Sequence, residues 1–203
     1  MKQTALLFTL VLSIFFSVGA SNAEADSSSS GALSCAVLPQ LFNLYFRFHY
    51  VYHDMSDELR KRTIDQFVKT IDPSKTLLLE SDVASIKSDL VGMFKTMDSD
   101  DCTKLDSTYA TLLKRAEENE KIAKDFLGPN YKLDENTEVV MDPDKRKYPK
   151  DLEEKKAFLS KLIHFQITNY LLTKIKLDEA KKNLTHNYEL TTKRIREKSL
   201  DKK

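Results

Sequence analysis

Residues 57–83 read DELRKRTIDQFVKTIDPSKTLLLESDV, and the periodicity of this segment indicates an α-helical protein. The apolar residues of its first half recur at the i, i+3, i+4, i+7 spacing of one helix face, at Ile64, Phe67, Val68 and Ile71. Ser56 stands directly before an acidic pair, an order typical of a capped helix start. Asp72-Pro73 then ends the helix, because the residue before a proline avoids helical backbone angles.

Helical patterns continue on both sides of this segment. Upstream, residues 33–52 are dense in apolar and aromatic side chains, which predicts a deeply buried first helix with Pro39 in its first turn. Downstream, Ser81 is predicted to cap a third helix. Its apolar stripe comprises Val83, Ile86, Leu90, Phe94 and Met97. A fourth helix is predicted to reach Leu127, where Gly128-Pro129 terminates it.

The C-terminal third combines a loop with two more helices. Residues 130–150 lack helical periodicity, which predicts an excursion packed over the helices, with a short extended piece at 138–141. A fifth helix is predicted from Asp151, with Ile175 among its buried positions. The last helix, 178–200, has few apolar residues, so it either lies on the surface or leads towards something outside the chain. We predict an all-α fold, an irregular domain of about five to six helices with one long loop near 128–150.

The composition fits a soluble globular protein. The chain of 203 residues is 41% apolar and 31% charged, and it contains only four glycines, which favours helices over a turn-rich sheet protein. Its 32 basic residues are balanced by 31 acidic ones and alternate with them. This balance argues against nucleic acid or an anionic membrane as the main partner.

Residues 1–23 have the three parts of a secretory signal peptide. A positive start is followed by a hydrophobic run at 5–18 and by small residues that favour cleavage after Ala23. An uncleaved membrane anchor is the alternative, but the run is short for a bilayer span. We expect export to the periplasm, a flexible linker at 24–35, a helical domain at 36–203 and no further membrane span.

Two cysteines, Cys35 and Cys102, would enter an oxidising compartment after export. They could form one disulfide or remain two unpaired thiols. The sequence leaves both possibilities open.

Few residue patterns suggest chemistry. His49 and His53 are four apart and share a helix face, a spacing that can hold two zinc ligands, but no third ligand is apparent. We interpret His49 as a core or capping residue and His53 as exposed. No nucleophile elbow, phosphate-binding loop or dinucleotide fingerprint occurs. We therefore predict no catalytic residue, no metal site and no cofactor.

One set of residues is more specific than its periodicity, and we call these the signature residues: His49, Tyr50, Asp65, Phe67, Asp72, Leu79, Ser81, Asp82 and Val83. Their order resembles the start of bacterial tail-specific proteases, also called carboxyl-terminal processing proteases. Residues 147–150 and 187–195 are similar to two later stretches of that family. The resemblance covers residues 38–198. We expect most signature residues to serve the fold, with Phe67 and Leu79 in the core and with Asp72 and Ser81 in turn and cap positions.

The resemblance implies a helical N-terminal domain that is followed, in the family, by a PDZ domain and a Ser/Lys-dyad protease core. The dyad would lie beyond the point that matches Lys203, so no catalytic residue carries over to this chain. We expect a non-enzymatic, secreted domain that binds or scaffolds a protein, such as a protease subunit, an adaptor or a substrate. The alternative is the N-terminal part of a split or truncated periplasmic serine protease, which would act only with a separate catalytic chain.

Overall fold

The computed structural model describes residues 37–95 and 103–200 of the chain. Their secondary structure consists of six α-helices and a 3₁₀ turn at Pro143–Lys145. The helices are α1 (Leu38–Phe48), α2 (Asp57–Ile71), α3 (Glu80–Lys95), α4 (Thr103–Phe126), α5 (Leu152–Leu172) and α6 (Leu177–Leu200). No strand occurs within these residues, so the predicted all-α fold is confirmed. The predicted leader at 1–23, the predicted linker at 24–35 and both cysteines lie outside the described residues.

Helix α4 is the central element, because it contacts α3, α5 and α6. Its most extensive contact is with α6, whereas α2 packs on α3. The first apolar cluster joins buried residues of α2, the following turn, α3 and α4: Ile64, Val68, Leu77, Leu78, Ile86, Leu90, Leu112 and Ala116. The second apolar cluster joins the end of α4 to α5 and α6: Ala123, Leu127, Ile163, Ile167, Ala180 and Leu184.

Helix ends follow the predicted capping chemistry at two places. The Ser56 hydroxyl accepts a hydrogen bond from the backbone N–H of Leu59 at 3.2 Å, as predicted for the start of α2. The Asp151 carboxylate likewise accepts from the N–H of Glu154 at 2.8 Å and caps α5. Each side chain satisfies a helix-start N–H that has no partner within the helix.

The prediction of a deeply buried first helix is wrong. Helix α1 has no buried residue, and Leu41, Leu44, Tyr45 and Phe48 are exposed large apolar side chains. The inward side of α1 instead rests on the domain through an edge-on contact between the rings of Phe42 and Phe94, with centroids 6.1 Å apart. Helix α1 is apolar around most of its circumference, and such a pattern is typical of a helix that is enclosed on all sides. The pattern therefore predicted burial for a helix that is covered on one side only.

Helix α6 is integrated into the domain despite its few large apolar residues. Ala180, Leu184 and Thr192 are buried where α6 packs against α4 and α5. These positions recur every four residues, with Tyr188 between the last two, and so form one stripe along the helix. The small or polar residues Ala180 and Thr192 contribute little to a hydrophobic pattern, which is why the stripe looked narrow.

Residues 131–150 pass over the helices without forming a strand, including the piece predicted as extended at 138–141. The Lys75 ammonium donates hydrogen bonds to the carbonyl oxygens of Pro143 at 2.6 Å and of Arg146 at 2.9 Å. The N–H of Glu80 donates to the carbonyl oxygen of Pro149 at 2.9 Å. The excursion is thereby tied to the turn between α2 and α3. None of the described helices is long and apolar enough to cross a membrane.

Candidate interaction surface and the signature residues

Asp72 organises the turn that follows α2. Its buried carboxylate accepts hydrogen bonds from three backbone N–H groups, those of Thr76, Leu77 and Leu78, at 3.1, 3.0 and 2.9 Å. These bonds hold the chain that carries Leu77 and Leu78 into the first apolar cluster. Because the carboxylate is enclosed and accepts hydrogen bonds from three N–H groups, this signature residue stabilises the backbone of the turn.

Ser81 does not cap α3, and the prediction that it does is wrong. Helix α3 begins one residue earlier, at Glu80, and the side chain of Ser81 is exposed. Asp82 takes the capping role instead, because its Oδ2 accepts the backbone N–H of Leu79 at 2.8 Å. This arrangement is the half of a capping box in which the acidic residue of the first turn reaches back to the residue before the helix.

The carboxylate of Asp82 also binds Arg115 of α4 in a bidentate pair, with Nε to Oδ2 at 2.7 Å and Nη2 to Oδ1 at 3.0 Å. Arg115 is buried, and its Nη1 donates to Glu118 at 2.8 Å. Burial alone would raise the pKa of Asp82, but the hydrogen bonds from Arg115 and Leu79 outweigh it, so the pKa is lowered. The hydrogen bond to Asp82 correspondingly raises the pKa of Arg115.

Lys155 of α5 is fully enclosed next to this pair. Its ammonium donates to the carbonyl oxygen of Leu77 at 2.7 Å, and it lies 3.9 Å from the carboxylate of Glu118. Burial lowers the pKa of Lys155 to about 8, with the attraction of Glu118 opposing that shift. Arg115 and Lys155, which we call the buried cations, therefore tie α3, α4 and α5 together at the turn.

Sequence reasoning did not single out either buried cation. A usable signal was present for Lys155, because it continues the buried row of α5 at four-residue spacing: Leu159, Ile163 and Ile167. A lysine on the apolar face of a helix is rarely fully enclosed without a partner. The position of Lys155 in this buried row therefore indicates that a hydrogen-bond acceptor lies near its ammonium group.

His49 ends α1 and holds the turn that follows it. Its Nδ1 accepts hydrogen bonds from the backbone N–H groups of Val51 at 3.1 Å and Tyr52 at 2.9 Å. The Nδ1 atom of His49 is therefore already engaged as the acceptor of these two backbone hydrogen bonds. His53 is exposed, and no group of three or more potential metal ligands occurs among the described residues. The neighbouring signature residue, Tyr50, is 95% exposed.

The remaining signature residues divide between surface and core. Asp65 forms an exposed ion pair with Lys87, which joins α2 to α3. Leu79 is buried, whereas Phe67 and Val83 pack half-buried against the first apolar cluster. Leu79 bonds to both Asp82 and Val83, and Phe67 and Val83 pack on the same cluster, but the signature residues as a set do not come together in one site.

Several large apolar side chains are exposed on α1 and the turn after it. We call this surface the α1 outer face: Leu41, Leu44, Tyr45, Phe48, Tyr50 and Val51. The first four recur at i, i+3, i+4 and i+7, so they share one side of the helix. Phe48 is 74% exposed and Val51 is 64% exposed. Exposed apolar residues gathered in this way are typical of a surface that contacts another molecule.

The fold and these arrangements define a class: an all-α domain whose polar signature residues maintain turns and helix contacts, with one apolar face turned outward. The family model described as tail specific protease N-terminal domain matches residues 41–203, and the chain belongs to this family. No protease domain and no other domain is found in the chain. A comparison with curated proteins gives no match.

Proposed function

We propose that this chain is a non-catalytic, secreted helical domain that binds a protein partner through the α1 outer face. The leader-like residues 1–23 support export to the periplasm. The family relationship supports a role beside proteolysis, because the domain family is named for tail-specific proteases. The observation that carries the proposal is the exposure of Leu44, Tyr45 and Phe48 on one side of α1.

The physical reason lies in how α1 distributes its side chains. Its sequence is LPQLFNLYFRF, and its polar residues Gln40, Asn43 and Arg47 occupy one narrow stripe. The domain needs only one apolar side of α1, the side on which Phe42 meets Phe94. Leu44 and Phe48 lie away from that side, and they are 56% and 74% exposed. Aromatic side chains are enriched in the desolvated centres of protein interfaces, where they contribute most of the binding energy.

Affinity capture tests the proposal. The immobilised chain 24–203 is incubated with envelope extract of the host, and the retained proteins are identified by mass spectrometry. The double variant Leu44→Asp/Phe48→Asp should lose the retained partner, because two carboxylates would be desolvated at the interface. The matched control, Gln40→Asp/Asn43→Asp, adds the same charge to the polar stripe of the same helix and should retain it.

Circular dichroism of both variants establishes that each remains helical. Retention of the same partners by both variants would show that the α1 outer face is not the binding surface. Recovery of a separate chain with PDZ and protease domains, together with casein hydrolysis by that complex alone, would identify the partner as the catalytic half of a split protease.

A further inference from the structure

The α1 outer face has a symmetry in its sequence that bears on what it binds. Its helical members are Leu41, Leu44, Tyr45 and Phe48, all of them exposed. Their spacing reads the same from either end of the helix, because the intervals are three, one and three residues. The two leucines occupy the first half of this pattern, and the two aromatic residues occupy the second half. The face is therefore complementary to a reversed copy of itself.

An antiparallel pair of α1 helices, with a two-fold axis between residues 44 and 45, places unlike residues opposite each other. Leu41 then lies opposite Phe48 of the second copy, and Leu44 lies opposite its Tyr45. Because such a contact is isologous, each of these pairs occurs twice. Parallel pairing would instead set the two Phe48 side chains against each other and the two Leu41 side chains against each other. That arrangement requires different distances between the helices at their two ends, so the antiparallel pair fits better.

The charge pattern of α1 also suits a second copy. Arg47 is the only charged residue of the helix, and it belongs to the polar stripe rather than to the α1 outer face. Two identical faces therefore meet without opposing like charges, which would weaken association. A lipid surface suits the helix less well, because helices that lie in a membrane interface carry several Lys and Arg residues along their polar side.

The exposed area of the face matches what a dimer needs. Tyr45, Phe48 and Tyr50 are 49%, 74% and 95% exposed, which leaves about 400 Å² in contact with water at about 200 Å² for a whole aromatic side chain. The aliphatic members of the face add roughly 200 Å². Two copies would together remove about 1,200 Å² from water, the lower limit for a specific protein–protein interface.

We propose that the α1 outer face binds a second copy of this chain, with the two α1 helices antiparallel. The turn residues Tyr50 and Val51 of each copy reach towards the start of the other copy's α1. The inward side of each α1, which carries Phe42, stays on its own domain through Phe94. The inference rests on the proposed function, because it names the partner of the same surface.

Sedimentation velocity of the chain 24–203, from about 1 to about 500 μM, tests for the dimer. We expect a monomer–dimer equilibrium with a dissociation constant on the order of 10 μM, as suits an interface of this size. The variant Leu44→Asp/Phe48→Asp should associate at least about 100-fold more weakly, because its carboxylates would be desolvated between the helices. The matched control, Gln40→Asp/Asn43→Asp, should associate like the unaltered chain.

Mixtures of two charged variants test the antiparallel arrangement. Leu41→Lys and Phe48→Glu should each be monomeric alone, because each buries an unpaired charge in the pair. Their equimolar mixture should dimerise, since one contact then joins the new ammonium to the new carboxylate and the other keeps Leu41 against Phe48. A mixture of Leu41→Lys with Leu41→Glu is the control. It should remain monomeric, because these positions lie opposite each other only in a parallel pair.

A monomer at every concentration would overturn the inference. Dimers that persist in the Leu44→Asp/Phe48→Asp variant, or rescue by the control mixture alone, would overturn it as well. A monomeric chain that still captures an envelope protein through Leu44 and Phe48 leaves the proposed function standing, with a different chain as the partner. Circular dichroism of each variant shows whether a loss of association reflects the face rather than a loss of helix.

Discussion

Asp72 and Asp65 are both signature aspartates, but their surroundings give them very different importance for stability. Asp72 is buried and accepts three backbone N–H groups, whereas Asp65 makes one exposed ion pair with Lys87. The sequence predicted the turn role of Asp72 from the proline that follows it. It could not rank the two residues, because burial arises only after α2 and α3 have packed.

Asp72→Ala is therefore expected to destabilise the chain by about 3–4 kcal/mol, because three enclosed donors lose a charged acceptor. Asp65→Ala is expected to cost less than about 1 kcal/mol, as is usual for exposed ion pairs. Urea unfolding followed by circular dichroism measures both values. Similar costs for the two variants would contradict the assignment of Asp72 as the organiser of the turn.

Several other residue-level features depend on contacts between distant parts of the chain. Asp82 was expected only as a signature residue, yet it bridges the start of α3 to Arg115, 33 residues further along. Lys155 lies 78 residues beyond the carbonyl oxygen of Leu77 that it binds. Periodicity describes one helix at a time, so such pairs cannot be inferred from it.

At the scale of elements, helix type and order were predictable, and helix ends were less so. Helix α5 was expected to include Ile175 but ends at Leu172. The N–H of Ile175 bonds to the carbonyl oxygen of Tyr170, and that of Lys174 bonds to Leu171, which together form a Schellman motif. The position with positive φ usually holds glycine, and here it holds Lys174, so no glycine marks the end of the helix in the sequence.

Lys174→Gly is expected to stabilise the chain by about 0.5–1 kcal/mol, because glycine adopts the left-handed angles without a Cβ penalty. The φ of Lys174 is 64°. Thr173→Gly is the control: its φ is −85°, so glycine gains nothing there and should be destabilising. Thermal unfolding of the three chains gives the comparison. A loss of stability in the Lys174 variant would show that its side chain matters more than its backbone angle.

Helix α1 shows the opposite kind of error. Its apolar composition predicted a helix enclosed by other elements, but the domain covers only the side that carries Phe42. An apolar sequence pattern indicates that burial of a surface is favourable. It does not indicate whether the same chain or another molecule covers that surface. The misprediction of α1 is thus the observation on which the proposed binding surface depends.

At the scale of the whole molecule, α4 joins two apolar clusters that are separated by polar residues. Leu112 and Ala116 belong to the first cluster, and Ala123 belongs to the second. Asn119 lies between these clusters along the helix, whereas Arg115 lies beside Ala116 of the first cluster, and the side chain of Lys155 approaches Arg115 from α5. Arg115 and Lys155 therefore form a charged region beside the first cluster, and its protonation affects the stability of the domain.

Lys155 should make the free energy of unfolding rise with pH above neutrality. Its pKa is lowered to about 8 in the folded chain, against an ordinary value of 10.5. Between these values the unfolded chain holds a proton that the folded chain has released, so stability increases with pH. The gain should be roughly 2–3 kcal/mol by pH 10, since one pKa unit corresponds to about 1.4 kcal/mol.

Three tyrosines reverse this trend at higher pH. Burial raises the pKa of Tyr131, Tyr148 and Tyr188 to about 12, from an ordinary value of 10. Between pH 10 and pH 12 the folded chain keeps protons that the unfolded chain has lost, so stability falls. The free energy of unfolding should therefore pass through a maximum near pH 10, which urea unfolding across a pH series measures.

The variant Lys155→Met tests whether Lys155 causes the rise in the free energy of unfolding above neutral pH. The variant replaces the enclosed ammonium by an apolar side chain of similar length, so its stability should no longer increase above neutral pH, and the decrease above pH 10 should remain. Lys156→Met alters the adjacent, exposed lysine and should preserve the rise. Titration of the Lys155 side chain by NMR in the unaltered chain provides a direct readout that does not depend on how the variant folds. A midpoint near 10.5 would show that burial does not depress this pKa, and the predicted rise in the free energy of unfolding above neutral pH would then have to be abandoned.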